Sequence, residues 1–280
     1  MTRKAMAEDS ESSELVPRNS PTRKLPTPAA AAPAAPLLSV DTLEEIFLNL
    51  PPDQVVCLCR LVCSQWKEVA DRKSFWRKRC RREGYHIRDA LKEPRDWRLF
   101  YFLCKRRRNL LKNPSGTEEL QHWEILKNGG DQWAVHGVRI PVPNTTITTN
   151  FVTSFGMCIK SQLIDLEREG YSPEFMDQFQ PDIRISDRYS QRSDCGSLYK
   201  LSVELLHEEG QPVQVFYPET IYIDNARDEW NLITHVFQNY GPGVRYIRFT
   251  HGGKDLRWWK GWYGIRLTDS CVEICPAMDA

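Results

Sequence analysis

No stretch of this 280-residue sequence approaches the roughly 18 consecutive apolar residues that a membrane span needs. Nor does Met1 to Leu25 supply the apolar region of a secretory signal, having Glu and Ser where it belongs, so a cytosolic or nuclear chain is expected. An excess of one charge is missing too. The formal net charge of +1 gives no global pull toward nucleic acid or an anionic membrane. Nucleophile elbow, phosphate loop, metalloprotease helix and zinc spacing are all absent from the sequence. Gly129-Gly130-Asp131 and Gly252-Gly253 have neither the Lys-Ser/Thr nor the βαβ context of a phosphate cradle. The six histidines are scattered, and Cys57, Cys59 and Cys63 have no further ligand at short spacing. The nine cysteines therefore read as reduced thiols, and neither a metal nor a cofactor is expected. The Asn144-Thr145-Thr146 acceptor carries no weight without a secretory signal.

What is there falls into segments. Residues 1–36 hold six prolines, no glycine and no aromatic residue, too little apolar surface to offset the entropy of ordering, so disorder is expected. From residue 37 to 84 the pattern is helical. Leu43, Ile46, Phe47 and Leu50 make one stripe of a short helix, which Pro51-Pro52 ends. Val55, Val56, Leu58, Cys59 and Val62 form a second helix, Trp66 and Val69 a third, and Ser74-Phe75-Trp76 leads a fourth rich in Arg and Lys. Four such helices are too few for a large core, so a partner protein is expected to complete one face. Residues 85–96 read as a linker.

From about Trp123 the period shifts toward two. Segments 182–186, 198–206, 213–216, 221–223, 244–249 and 272–274 alternate between turns, the pattern of an antiparallel sandwich. One helix is expected to interrupt it, over Cys158–Glu169, with Ile159, Leu163 and Leu166 on one side. The basic runs Lys105-Arg106-Arg107-Arg108 and Arg77-Lys78-Arg79 read as solvated helix faces or interdomain contacts.

The stretch His251-Gly252-Gly253-Lys254-Asp255-Leu256-Arg257-Trp258-Trp259-Lys260-Gly261-Trp262-Tyr263-Gly264 stands apart. Successive strand residues face opposite ways, so Trp258 and Trp259 cannot both enter one core. Either they sit in a glycine-flanked loop tip, offering indole faces to a ligand such as a sugar, or these aromatics are sandwich core.

Two regions together carry a resemblance. Cys59-Arg60-Leu61-Val62-Cys63-Ser64-Gln65-Trp66, followed by Phe75-Trp76, resembles an F-box. From Trp97 to Ile274 the chain is similar to the F-box-associated domain of the sugar-recognising F-box proteins. The matching residues include Phe100-Tyr101-Phe102-Leu103, Arg108-Asn109-Leu110-Leu111, Phe151-Val152-Thr153-Ser154-Phe155, Arg192-Ser193-Asp194-Cys195-Gly196 and Tyr240-Gly241-Pro242-Gly243. The resemblance implies an α+β multidomain chain: a small all-α F-box, a helical linker, and over residues 97–280 a galactose-binding-like jelly roll of about ten antiparallel strands.

It also implies a non-catalytic, cytoplasmic substrate receptor, working in part at the cytosolic face of the endoplasmic reticulum. Leu38, Leu43, Ile46, Leu50, Val55, Val62, Trp66 and Trp76 would dock on the Skp adaptor, and through it on the cullin and RING subunits. Ser39 replaces the usual Pro of that family. Trp258, Trp259 and Lys260, with an acid at Asp194 or else Asp187, would hold the chitobiose core of high-mannose N-glycans on misfolded glycoproteins. Arg188 stands where relatives usually have Trp. Two other readings stay open: a receptor for a protein surface, and a carbohydrate-acting enzyme using Asp194 with Asp255.

Overall fold

The computed structural model describes residues 38–87, 93–224 and 227–277; the expected disorder of residues 1–36 and part of the linker fall outside them. The helical unit opens with α1 (Val40–Asn49), which buries Leu43, Phe47 and Leu48. Ser39 is its N-cap, its hydroxyl accepting the Thr42 N–H, so a residue that lost the rigidity of Pro supplies a cap instead. Pro52 takes the first position of α2 (Pro52–Cys57), where a missing N–H leaves no bond unmade. A 3-10 turn (Cys59–Leu61) leads to α3 (Ser64–Asp71) and α4 (Lys73–Arg82). Arg79 is buried, and its guanidinium donates to Phe47 O at 3.0 Å and Leu50 O at 2.8 Å. Those are terminal carbonyls of α1, where a cation is favoured.

α5 (Trp97–Lys105) is shared between the two cores. Trp97, Phe100 and Tyr101 pack with the F-box helices, while Leu103 belongs to the sandwich core. The basic run after it is tied to the sandwich, Arg107 to Glu273 and Arg108 to Glu169.

Eleven strands follow among the described residues, in two antiparallel sheets. They are β1 (Glu124–Asn128), β2 (Ala134–Gly137), β3 (Thr149–Val152), β4 (Cys158–Asp165), β5 (Asp182–Ser190), β6 (Ser197–Leu206), β7 (Pro212–Phe216), β8 (Ile221–Ile223), β9 (Asn231–Phe237), β10 (Tyr246–Asp255) and β11 (Arg266–Cys275). One sheet runs β1-β4-β10-β6-β7 with β8 also on β6; the other runs β2-β3-β11-β5-β9. Phe151, Ile185, Val203, Phe249 and Leu267 fill the space between them.

The helix expected over Cys158–Glu169 is instead strand β4, hydrogen-bonded between β1 and β10. Its polar residues Lys160, Ser161 and Gln162 are buried and Leu163 is exposed, so the helical spacing of its aliphatics was coincidental. The domain's helix among the described residues is α6 (Pro173–Phe179), which Ser172 caps through the Phe175 N–H. Lys160 is an unusual core residue. Its ammonium nitrogen lies 3.1 Å from the Trp123 ring centroid and 3.5 Å from that of Phe151, and burial pushes its pKa well below the lysine range.

Candidate functional site

The β10–β11 connection carries the aromatic run, and its shape is set beneath it. Gly252 and Gly253 lie in β10 between β4 and β6, where an added Cβ would run into Cys158 O and Leu198 O. Two residues on, the Asp255 carboxylate is wholly buried, and its Oδ1 accepts the N–H groups of Arg257 at 2.9 Å and Trp258 at 2.5 Å. That turn puts Trp258 at a φ of 59°, the left-handed region a bulky residue enters only when held there. The far side of the loop is clamped as well. Gly261 N–H donates to Asp131 Oδ2 at 2.6 Å, Ser154 Oγ donates to Gly261 O at 2.7 Å, and Trp262 Nε1 donates to Gln132 O at 3.1 Å.

The clamped loop leaves its indoles in water. Trp258 is 67% exposed and Trp259 43%, with Lys260 exposed beside them, so the loop-tip alternative is the one the structure has. Lys254 Nζ sits 4.0 Å over the Trp258 ring. Trp259 meets Tyr263 edge-on at 5.5 Å, and the Arg192 guanidinium lies 4.2 Å from the Tyr263 centroid. Arg192 in turn grips Asp194 at 2.8 and 2.5 Å. That pair holds the exposed Asp194 carboxyl below its usual range, ionised and ready to accept hydrogen bonds. Asp194 therefore reaches the aromatic loop through Arg192 and Tyr263. An open groove of about 570 Å³ separates Lys260-Gly261-Trp262 from Gly130-Asp131-Gln132.

Asp187, the other acid weighed for this site, does not belong to it. It is fully buried and accepts from Tyr199 Oη at 2.7 Å, His251 Nδ1 at 2.7 Å and Ser270 Oγ at 2.8 Å, a closed polar network in the sandwich interior. Asp255, the acid that the glycosidase reading pairs with Asp194, is wholly buried and bonded to the loop amides. Arg188 pairs with Asp269 at 2.8 Å. Sequence reasoning missed Arg192, Tyr263, Asp131 and Ser154. Asp131 and Gly261 are joined across 130 residues, and nothing local announces such a pair.

Among the expected adaptor residues, Leu43, Val55 and Trp76 are buried in the helical core, Leu50 and Trp66 are half-buried, and Leu38, Ile46 and Val62 are exposed. The buried three shape the helices and do not reach the surface. Their neighbours Leu58 and Leu61 join the exposed set, Leu61 at 81%.

Comparison with known proteins bears on both units. The F-box-like family matches residues 40–82, and the F-box associated region family matches residues 101–274. F-box only protein 6 of Bos taurus is 43% identical over 85% of this chain and 91% of its own. F-box only protein 44 of Homo sapiens is 42% identical over 86% and 96%, and F-box only protein 2 of Bos taurus 43% over 84% and 82%. Among solved structures, the alignment with Family 16 Carbohydrate Binding Module-2 covers 59% of this chain and 99% of that one, at 12% identity and a TM-score of 0.36. With both regions matched in order and relatives aligned along more than four-fifths of either chain, the chain belongs to the F-box proteins that carry an F-box-associated region.

Proposed function

We propose that this chain is the non-catalytic substrate-recognition subunit of an SCF-type ubiquitin ligase, and that its sandwich binds the chitobiose core of high-mannose N-glycans on misfolded glycoproteins returned to the cytosol. The observation that carries the glycan reading is the rigid, solvent-facing Trp258-Trp259-Lys260 tip with Asp194 tied to it. An N-acetylglucosamine ring has an apolar face that stacks on an indole and a rim of hydroxyl and acetamide groups that bond a charged donor or acceptor. Trp259 supplies the first, and Lys260 and Asp194 the second. Exposed polar contacts of this kind orient a ligand more than they tighten it, so modest affinity is expected.

Leu38, Ile46, Leu58, Leu61 and Val62 form the apolar face offered to the Skp adaptor. The ligase mechanism on this reading is proximity: one chain raises the effective concentration of substrate lysines near the conjugating enzyme. Calorimetric titration with chitobiose tests it. Binding that Trp259→Ala weakens by about tenfold or more, and Asp194→Ala also weakens, is expected. A folded wild-type protein that takes up no chitobiose refutes the glycan reading and leaves a receptor for a protein surface.

A further inference from the structure

Beside the aromatic tip, three arginines converge from three elements. Arg139 lies in the β2–β3 connection and Arg192 in the β5–β6 turn. Arg266 opens β11, in register between Val152 of β3 and Ser190 of β5, two residues before Arg192. The β2–β3 connection starts from the far end of β2 but folds back toward them, Ile140 O accepting the Trp230 indole N–H beside Asn231, which pairs with Tyr189 of β5. Arg266 is 5% exposed. Its guanidinium keeps only slight contact with solvent, and among the described residues none accepts a hydrogen bond from it.

The carboxylates nearby are already engaged. Asp194 pairs with Arg192, and Asp228 Oδ1 accepts the Ser193 amide at 2.6 Å. Burial pulls the Arg266 pKa down to about 10, with the Arg139 and Arg192 cations next in weight, so the like charges are close enough to repel. The same Arg266 charge adds to burial in lowering the His136 pKa, and the His136 ring meets Trp262 edge-on at 5.7 Å. The cluster is thus continuous with the aromatic loop.

We propose that Arg139, Arg192 and Arg266 form an oxyanion subsite that takes a carboxylate, carried by an acidic sugar or by an acidic side chain of a peptide. A carboxylate presents two oxygens to a planar guanidinium fork, the acceptor geometry that Arg266 lacks. Arg266 supplies the inner donors and the exposed Arg139 the outer contact. Arg192, held between Tyr263 and Asp194, contributes charge. The subsite stands whether or not the neighbouring indoles hold chitobiose.

The full chain, carrying nitrogen-15 in its arginines, is titrated with methyl glucuronide against methyl glucoside, and with acetylated Asp-Gly-Asp against Asn-Gly-Asn. At least one anionic probe is expected to shift the Arg266 Nε–H signal saturably and to bind about tenfold tighter than its neutral twin. Arg139→Gln, at an exposed position, is expected to reduce that preference several-fold. The pair that separates identifies the source of the carboxylate. Equal affinity within both pairs, or an anionic preference that Arg139→Gln leaves unchanged, overturns the subsite. Chitobiose titrated into the same sample reads the aromatic site separately, so failure of one does not imitate failure of the other.

Discussion

Acidification should loosen the sandwich through one buried imidazole. His251 has no exposed surface; its ring stacks on Trp123 with centroids 5.0 Å apart, and Nδ1 bonds Asp187 at 2.7 Å. Its Nε2 has no partner among the described residues. A proton added there would place a charge in the core with nothing to bond it, and burial accordingly pushes the His251 pKa from 6.5 down to about 4, with Lys160 acting the same way. Asp187 opposes the shift but is outweighed. The unfolded chain binds this proton below about pH 6.5, whereas the native chain refuses it until about pH 4. Stability is therefore complete above the unfolded value and falls as pH drops through that window. At about 1.4 kcal/mol per pH unit the loss is on the order of 3 kcal/mol. Urea unfolding of the sandwich, followed by the NMR methyl signals of Ile247 and Ile274, would be compared for the wild type and His251→Gln from about pH 7 to about pH 4.5. Carboxylates held low by ion pairs, such as Asp177 on Arg245, contribute to both proteins and cancel in the difference. A wild-type-minus-variant difference that stays flat across the window would refute the reasoning.

Two other outcomes are expected. Leu61→Asp should abolish capture of the purified Skp adaptor while leaving the helical circular dichroism unchanged, because Leu61 is exposed and packs in no core; a pull-down that is indifferent to the charge sinks the proposed face. Asp255→Ala removes the acceptor for the Arg257 and Trp258 amides, releasing Trp258 from its left-handed backbone, so chitobiose affinity should fall by about tenfold with the β10–β11 sheet intact. Unchanged affinity would mean that the loop keeps its shape without Asp255.

Much of the architecture could be read locally. The stripe at Leu43, Phe47 and Leu50, the break at Pro51-Pro52 and the alternation of 198–206 each encode an element through its own periodicity, and α1, α2 and β6 form there. The failures have a common cause. Buried Lys160, Ser161 and Gln162 make β4 look unlike a core strand, because their burial is licensed by residues distant in sequence: Ser161 by Phe249 O, Gln162 by Lys112 O, and the Lys160 amine by the Trp123 and Phe151 rings. The resemblance favours Asp194 over Asp187 without separating the two, whereas burial does: Asp187 closes a core network and Asp194 faces water.

Backbone geometry and the spacing of apolar residues were enough to predict a helical unit followed by a strand-rich one, and to keep Trp258 and Trp259 from sharing a core. Which side chains are available depends instead on how the elements pack. Three of the adaptor residues expected from the sequence are core, while Leu61 is surface. The aromatic tip stays open because Asp131, Ser154 and Asp255 hold its backbone and Gln132 O holds the Trp262 indole. Exposure and long-range hydrogen bonding depend on which elements pack together, and a pattern along one segment carries no record of its neighbours.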